Sequence, residues 1–456
     1  MGESEAGSSE GSREQSAPWP RPGYAWYVVG ILTVAYTVSF IDRQIIALLV
    51  EPIRRDLQIS DTQISLLQGF AFAIFYTIMG LPIARFADRH SRRAIIASGI
   101  LFWSVMTAAC GLARNFWELF GARVGVGVGE AALSPPAYSI IADYFPPDRL
   151  SRAISFYSMG IYIGAGLAFI VGGAVIQLVE SAGVTTLPVV GQVYSWQVTF
   201  LTVAAPGLLV VALMATVKEP IRRGLVPNGA RKSTPTSSPT VKEVVAFVGQ
   251  SRKVLGSHYM GHAFLALIAY ANFAWIPTFM IRNHGWSASE IGYVFGLLVL
   301  FGGTSGVVTG GWWADKLRAR GRADANMRVS MYAALIMLPT LIAAPLVENP
   351  TLAIILVTPG VFLVSVPFGI APAALQVITP NQMRAQISAL YLFVANIIGL
   401  GLGPTIVALI TDYVFGDDQA VRYSLAITGG LVAPLAAISL WLGLKHYRSA
   451  LDTSET

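Results

Sequence analysis

The sequence predicts an all-α integral membrane protein: twelve transmembrane helices in two six-helix bundles, with both termini in the cytoplasm. Three observations carry that prediction. Of the 456 residues, 54% are hydrophobic and only 12% charged, about half the charged share of a soluble domain. The apolar residues gather into runs long enough to cross a bilayer, not into the short alternating segments of a membrane barrel. Finally, the basic residues fall on alternate connections between those runs, and sequence landmarks recur at an offset of about half the chain.

Taken in order, residues 1–23 are polar and rich in Ser, Glu, Gly and Pro, and read as a disordered cytoplasmic tail, not a cleavable signal peptide. The N-terminal bundle, 24–217, contains spans at 24–49, 62–84, 94–112, 116–142, 151–179 and 196–217. A polar segment, 218–253, follows, with a Ser/Thr/Pro-rich linker and an amphipathic stretch that has apolar residues at 241, 244, 245 and 248. That stretch reads as a helix lying on the cytoplasmic membrane surface, a partner-binding site being the alternative. The C-terminal bundle, 254–445, contains spans at 254–281, 288–313, 328–347, 351–376, 385–411 and 420–444, and 446–456 forms a second cytoplasmic tail.

The even-numbered connections and the tails hold 24 of the 31 Lys and Arg residues, the odd-numbered connections hold 5, and Arg43 and Arg123 lie within spans. The positive-inside rule therefore places both termini and 218–253 in the cytoplasm. This distribution accounts for the net charge of +6 without nucleic acid. The loop after the second span, Ala84-Arg-Phe-Ala-Asp-Arg-His-Ser-Arg-Arg93, is echoed after the eighth by Gly311-Trp-Trp-Ala-Asp-Lys-Leu-Arg-Ala-Arg320. Pro147 and Ser155 after the fourth span are matched by Pro380 and Ser388 after the tenth. Parallel repeats of this size build transporters whose substrate site lies between the halves, near the bilayer midplane.

Charge inside spans is costly and marks ion or substrate paths. The fourth span carries Arg123 and Glu130 seven residues apart, two turns on one helix face. Glycines at 121, 125 and 129 recur every four residues and allow close helix packing. The first span carries Asp42 and Arg43, which point about 100° apart and each need a partner elsewhere. If the two spans are neighbours, the four groups form a neutral set. One reading is functional: Asp42 and Glu130 exchange protons while Arg43 and Arg123 bind an anion bidentately. A cavity opening to alternate sides changes both desolvation and arginine proximity, the two effects that move a carboxyl's proton affinity. The other reading is a structural ion-pair cluster that only locks two helices.

The second half is poor in intramembrane charge. Tyr36 in the first span, His262, Asn272 and Trp275 in the seventh, and Asn396 in the eleventh complete the candidates for substrate contact. Phe264, Phe273 and Trp275 suit an acyl chain or ordinary packing, and His262 suits a satisfied interior group equally well. A charged first-half wall facing an apolar second-half wall fits an amphipathic ligand.

On these motifs the chain resembles the major facilitator superfamily over residues 24–445. The loop after the second span is similar to the family's Gly-x-x-x-Asp-Arg-x-Gly-Arg-Arg hallmark: Asp88, Arg89, Arg92 and Arg93 match, and Ala84 and Ser91 replace the glycines. The fourth span resembles the family's Arg-x-x-x-Gly-x-Gly pattern through Arg123 with Gly125 or Gly127. The fifth span has Gly164, Gly166, Gly172 and Gly173 but lacks the proline of the antiporter signature, which leaves that classification open. The Asp-Arg of the first span, the Arg…Glu of the fourth and the phrase Ala142-Asp-Tyr-Phe-Pro-Pro-Asp-Arg149 resemble the Spinster branch. That resemblance implies transport of lysophospholipids or sphingosine phosphate-like lipids. The loop motif also reads as a cytoplasmic gate in which Asp88 caps the turn, the neighbouring Arg89, Arg92 and Arg93 pair with acids such as Asp143 when the inner side is shut, and Asp315 is the second-half counterpart; the alternative is that these arginines only follow the positive-inside rule.

Other classes fit poorly. Gly125, Gly127 and Gly129 lack the spacing and the strand of a dinucleotide loop. There is no His-Glu-x-x-His helix, no zinc-ligand spacing and no His near Ser134, so no catalytic residue or metal is expected. The single Cys110 excludes internal disulfides. No cofactor is called for beyond protons as coupling ion, and the expected partners are a small-molecule or lipid substrate and membrane lipids around a monomer. A carrier of soluble organic anions and a non-transporting receptor or scaffold are the competing readings. The absence of a signal peptide and organelle address fits a bacterial inner membrane.

Overall fold

In the computed structural model, residues 19–87, 89–182, 185–187, 191–222 and 241–455 are described. The tail up to 18, Asp88 and the linker 223–240 lie outside them, and with them the expectations of a disordered tail, of Asp88 as a cap and of a flexible linker. Among the described residues, eleven helices are long and apolar enough to cross a bilayer. They start at Pro22–Leu48, Asp61–Ala87 and Arg92–Cys110 and end at Gln386–Phe415 and Asp418–Asp452.

The fourth predicted span departs from expectation. It is not one helix over 116–142 but two, Phe116–Glu130 and Ser134–Tyr144, joined by a turn. Consecutive prolines at 135 and 136 explain the break. They provide no N–H for the carbonyls of the preceding turn, yet they suit the first turn of a new helix. The N-terminal piece is capped by Asn115, whose side chain accepts from the Glu118 amide at 3.0 Å.

Two boundaries also move. The last helix runs from Val421 to Glu455, through the segment expected as a tail. It is held there by Tyr447, whose buried hydroxyl donates to the Ala374 carbonyl at 2.9 Å. Between the fifth and sixth spans, Thr185–Leu187 pairs antiparallel with Gly191–Val193, a short hairpin outside the all-α body. The amphipathic stretch forms a helix at Val241–Gln250, and its Val244, Phe247 and Val248 pack on the C-terminal core.

The halves meet along two seams: the second span with the eleventh, and the fifth with the eighth. Glycines make the second seam close. A Cβ on Gly166 would lie 2.9 Å from the Gly296 carbonyl oxygen, and one on Gly292 would lie 2.7 Å from that of Phe169. The polar links that join the halves gather at the end of the odd-numbered connections. Arg282 donates to both Asp61 carboxylate oxygens at 2.7 and 2.8 Å and to Glu51 at 2.7 Å. Arg54 pairs with Asp61 at 3.0 Å and with Asp418 at 2.9 Å, and Thr62 donates to Asp412 at 2.6 Å. At the opposite end the described ion pairs stay within one half.

Candidate functional site

The first span packs along the fifth and contributes Ser39, Asp42 and Arg43 to a buried polar core completed by the fourth. Arg43 Nη2 donates to Glu130 Oε2 at 2.6 Å, and Ser39 Oγ donates to the same oxygen at 2.7 Å. The guanidinium lies 4.2 Å from the Phe72 ring centroid, 4.5 Å from Phe40 and 5.1 Å from Tyr76. Aromatic faces thus substitute for water around a cation that is 5% exposed. Asp42 is 0% exposed and forms no salt bridge among the described residues, and its Oδ2 accepts from Thr107 at 3.3 Å.

Of the four intramembrane charges, only Arg43 and Glu130 form an ion pair among the described residues. Arg123 is completely buried and donates to three main-chain carbonyls, those of Leu67 at 3.1 Å, Asp42 at 3.2 Å and Arg43 at 3.4 Å. It ties the fourth span to the first and second, with its donors turned to backbone instead of an anion. The result is one neutralised carboxylate, Glu130, beside one carboxylate without a counter-ion, Asp42.

The other candidates separate into groups. Tyr36 stacks on Tyr157 with centroids 4.7 Å apart. Trp275 is buried, and its indole N–H donates to the Pro404 carbonyl at 2.8 Å, pinning the seventh span to the eleventh. His262 is interior: Nδ1 is 2.9 Å from the His258 carbonyl and Nε2 is 3.1 Å from Ser330 Oγ. Asn272 donates to the Ile268 carbonyl at 2.7 Å and lines a small cleft within the second half. Asn396 is half-buried at the start of a π-helical turn, Asn396–Gly401. None of these five reaches Arg43 or Glu130 by a described hydrogen bond.

At the even-connection end, the predicted Arg92–Asp143 pair is present at 2.5 Å. It is joined by Glu219, which sequence reading missed. Glu219 accepts from Arg92 Nε at 2.8 Å, Ser91 Oγ at 2.9 Å and the Arg93 amide at 2.9 Å. Burial works to raise the proton affinity of Glu219, but these donors outweigh it and hold the carboxyl below the usual range. Arg93 also donates to the Val217 carbonyl. Arg89 is exposed, and Asp315 makes only a 3.5 Å contact with Arg318. Asp61, the hub of the opposite end, was also missed, because after Ser60 it reads as an ordinary residue of a helix start.

Two helical halves joined along paired seams, linked by ion pairs at one end, with a buried ionisable core in the first half, define a multi-pass membrane carrier. The sequence profile of the Major Facilitator Superfamily matches residues 32–404, and the chain belongs to that superfamily. It is 28% identical over 435 residues to an MFS-type efflux pump of Mycolicibacterium smegmatis, covering 94% of each chain. It is also 28% identical to protein spinster homolog 1 of Xenopus tropicalis, covering 85% of this chain and 73% of that protein. A crystal structure of a bacterial homologue of the human lysosomal transporter Spinster, inward-facing and unoccupied, superposes with a TM-score of 0.78 at 29% identity, over 95% of this chain and 98% of the other. The chain is thus a Spinster-like transporter of the superfamily.

Proposed function

We propose that the protein is an alternating-access secondary transporter of an amphipathic anionic lipid, a lysophospholipid or sphingosine phosphate-like molecule, with protons as the coupling ion. The observation that carries this reading is the Arg43–Glu130 pair within an aromatic cage beside the unpaired Asp42. An anionic head group that competes with Glu130 for Arg43 would release a carboxylate to take a proton, so substrate and proton occupancy become linked. The predominantly apolar second half provides the wall for an acyl chain. In this reading the chain crosses the membrane twelve times, the broken fourth segment being one crossing. Both termini face the cytoplasm of a bacterial inner membrane, the protein works as a monomer without cofactor or metal, and it carries out no covalent chemistry. The end linked by ion pairs is then extracellular and the conformation inward-facing.

The test is flux of a labelled lysophospholipid in proteoliposomes, wild type against Glu130→Gln, with and without a pH gradient. Flux that follows the gradient and disappears in the variant is expected. Wild-type flux indifferent to the gradient would make the protein a facilitator. The efflux-pump relative, matched over 94% of this chain, favours a second reading: a carrier of a soluble organic anion or drug-like compound. Competition by short-chain anions but not by long-chain ones would select it.

A further inference from the structure

Directly beside Arg43, on the seam between the halves, lies a small chamber lined by Arg43, Gln44 and Gln68 of the first half and Tyr270, Leu400 and Pro404 of the second. Its volume is about 10 Å³, room for one water-sized group. Gln68 is 6% exposed, and among the described residues neither its amide oxygen nor its amide nitrogen has a hydrogen-bond partner. Arg43 Nε has none either, while Nη2 is held by Glu130. Unpaired buried amides are rare because each lost hydrogen bond is expensive, more so within a bilayer.

The backbone is shaped to hold Gln68 in this position. It sits in a single π-helical turn, Leu66–Phe70, a device that shifts the side chains after it around the helix and that clusters at functional sites. A second π-turn, Asn396–Gly401, faces it from the other half, with the Gly401 carbonyl 3.1 Å from where a Cβ on Gly69 would stand. Both halves therefore build the chamber, and it is complete only while they are pressed together at this end.

We propose that this chamber is the head-group-selecting subsite of the carrier. The Gln68 amide hydrogen-bonds a phosphate or hydroxyl oxygen of the substrate while Arg43 neutralises its charge and the Tyr270 hydroxyl closes the site from the other half. This rests on the lipid-carrier reading above and adds a specificity to it. The chamber admits one phosphate oxygen beside the Arg43 cation; a phosphomonoester brings up to two negative charges to it, whereas a choline lysolipid brings one negative charge and a cation that Arg43 repels, so phosphomonoester lysolipids are preferred to choline lysolipids. Contact with both halves also makes the bound head group favour the state in which this end is sealed.

The experiment is equilibrium binding of 1-oleoyl lysophosphatidic acid and 1-oleoyl lysophosphatidylcholine to the full-length protein in nanodiscs, for wild type, Gln68→Leu and Tyr270→Phe. Wild type should bind the phosphomonoester about tenfold more tightly, and Gln68→Leu should lose roughly that factor for it and less for the choline lipid, so that the ratio falls. Tyr270→Phe, which removes only a hydroxyl, should shift the same ratio in the same direction and stands as the reading if Gln68→Leu does not fold. Binding of both lipids at wild-type ratios by the variants would overturn the inference and leave the carrier reading standing. A wild type that binds neither lipid would remove the lipid reading, and the inference with it.

Discussion

At the scale of single residues, the molecule distinguishes charges that hold structure from charges free to act. Arg123 was legible as an intramembrane cation, but nothing in its spacing revealed that its donors go to three carbonyls. A lysine cannot reproduce that fork. Arg123→Lys should therefore cost about 2 kcal/mol of stability, on the scale of a lost charge-assisted hydrogen bond, measured by thermal unfolding of the purified protein. Glu130→Gln leaves Arg43 buried without a counter-ion, and losing one member of a buried pair costs about 3–5 kcal/mol. A neutral residue at Asp42 breaks no ion pair, so Asp42→Asn should leave thermal stability within about 1 kcal/mol of wild type while abolishing gradient-dependent flux. Equal unfolding temperatures for Glu130→Gln and Asp42→Asn would refute the distinction.

At the scale of elements, the fourth segment shows how far periodicity reaches. The glycines at 121, 125 and 129 suggested one packing stripe, but their neighbours differ. A Cβ on Gly121 meets nothing within 4 Å, one on Gly125 meets the flexible Met106 side chain at 2.5 Å, and one on Gly129 meets the Trp103 backbone nitrogen at 2.8 Å. Gly127, off the stripe, would press on the Phe72 carbonyl at 2.8 Å. Backbone cannot yield as a methionine can. Alanine at 127 or 129 should cost about 1–3 kcal/mol by overpacking, alanine at 125 less, and alanine at 121 nothing or a small gain from helix propensity. Unfolding temperatures of the four variants check that order. The linker end of the sixth span behaves as an element cap. Because the Glu219 carboxyl is held below its ordinary value, its tie to Arg92 is fully present above the unfolded carboxylate value of about 4.3. It is lost as pH falls through the lower folded value. Glu219→Gln should lower thermal stability modestly at neutral pH and flatten its decline on the acid side.

At the scale of the whole molecule, the halves touch along two seams and are latched by ion pairs at one end. Asp61 is completely buried and receives both Arg54 and Arg282, so it is the common anchor of the latched end. Asp61→Asn should shift the population toward opening at that end. Single cysteines introduced there should label faster than in wild type, against a native background in which Cys110 is buried. Unchanged labelling at both ends would mean that the seam glycines, not the latch, set the balance.

What the sequence determined by itself follows from the bilayer. Apolar length, the one-sided distribution of Arg and Lys and the half-chain repeat each reflect a constraint that acts on every residue of a segment, so they survive without coordinates. The buried candidates Asp42, Arg43, Arg123 and Glu130 were legible for the same reason, since charge in a span is conspicuous. Only the tertiary structure decided which of them pair. It alone gave Glu219, Asp61 and Gln68 their places, because those are ordinary polar residues whose role depends on neighbours more than 100 positions away in the chain. Contacts at such separations are set by how helices pack and rotate, and a π-turn of one residue or a break at two prolines is enough to change which side chain faces the path.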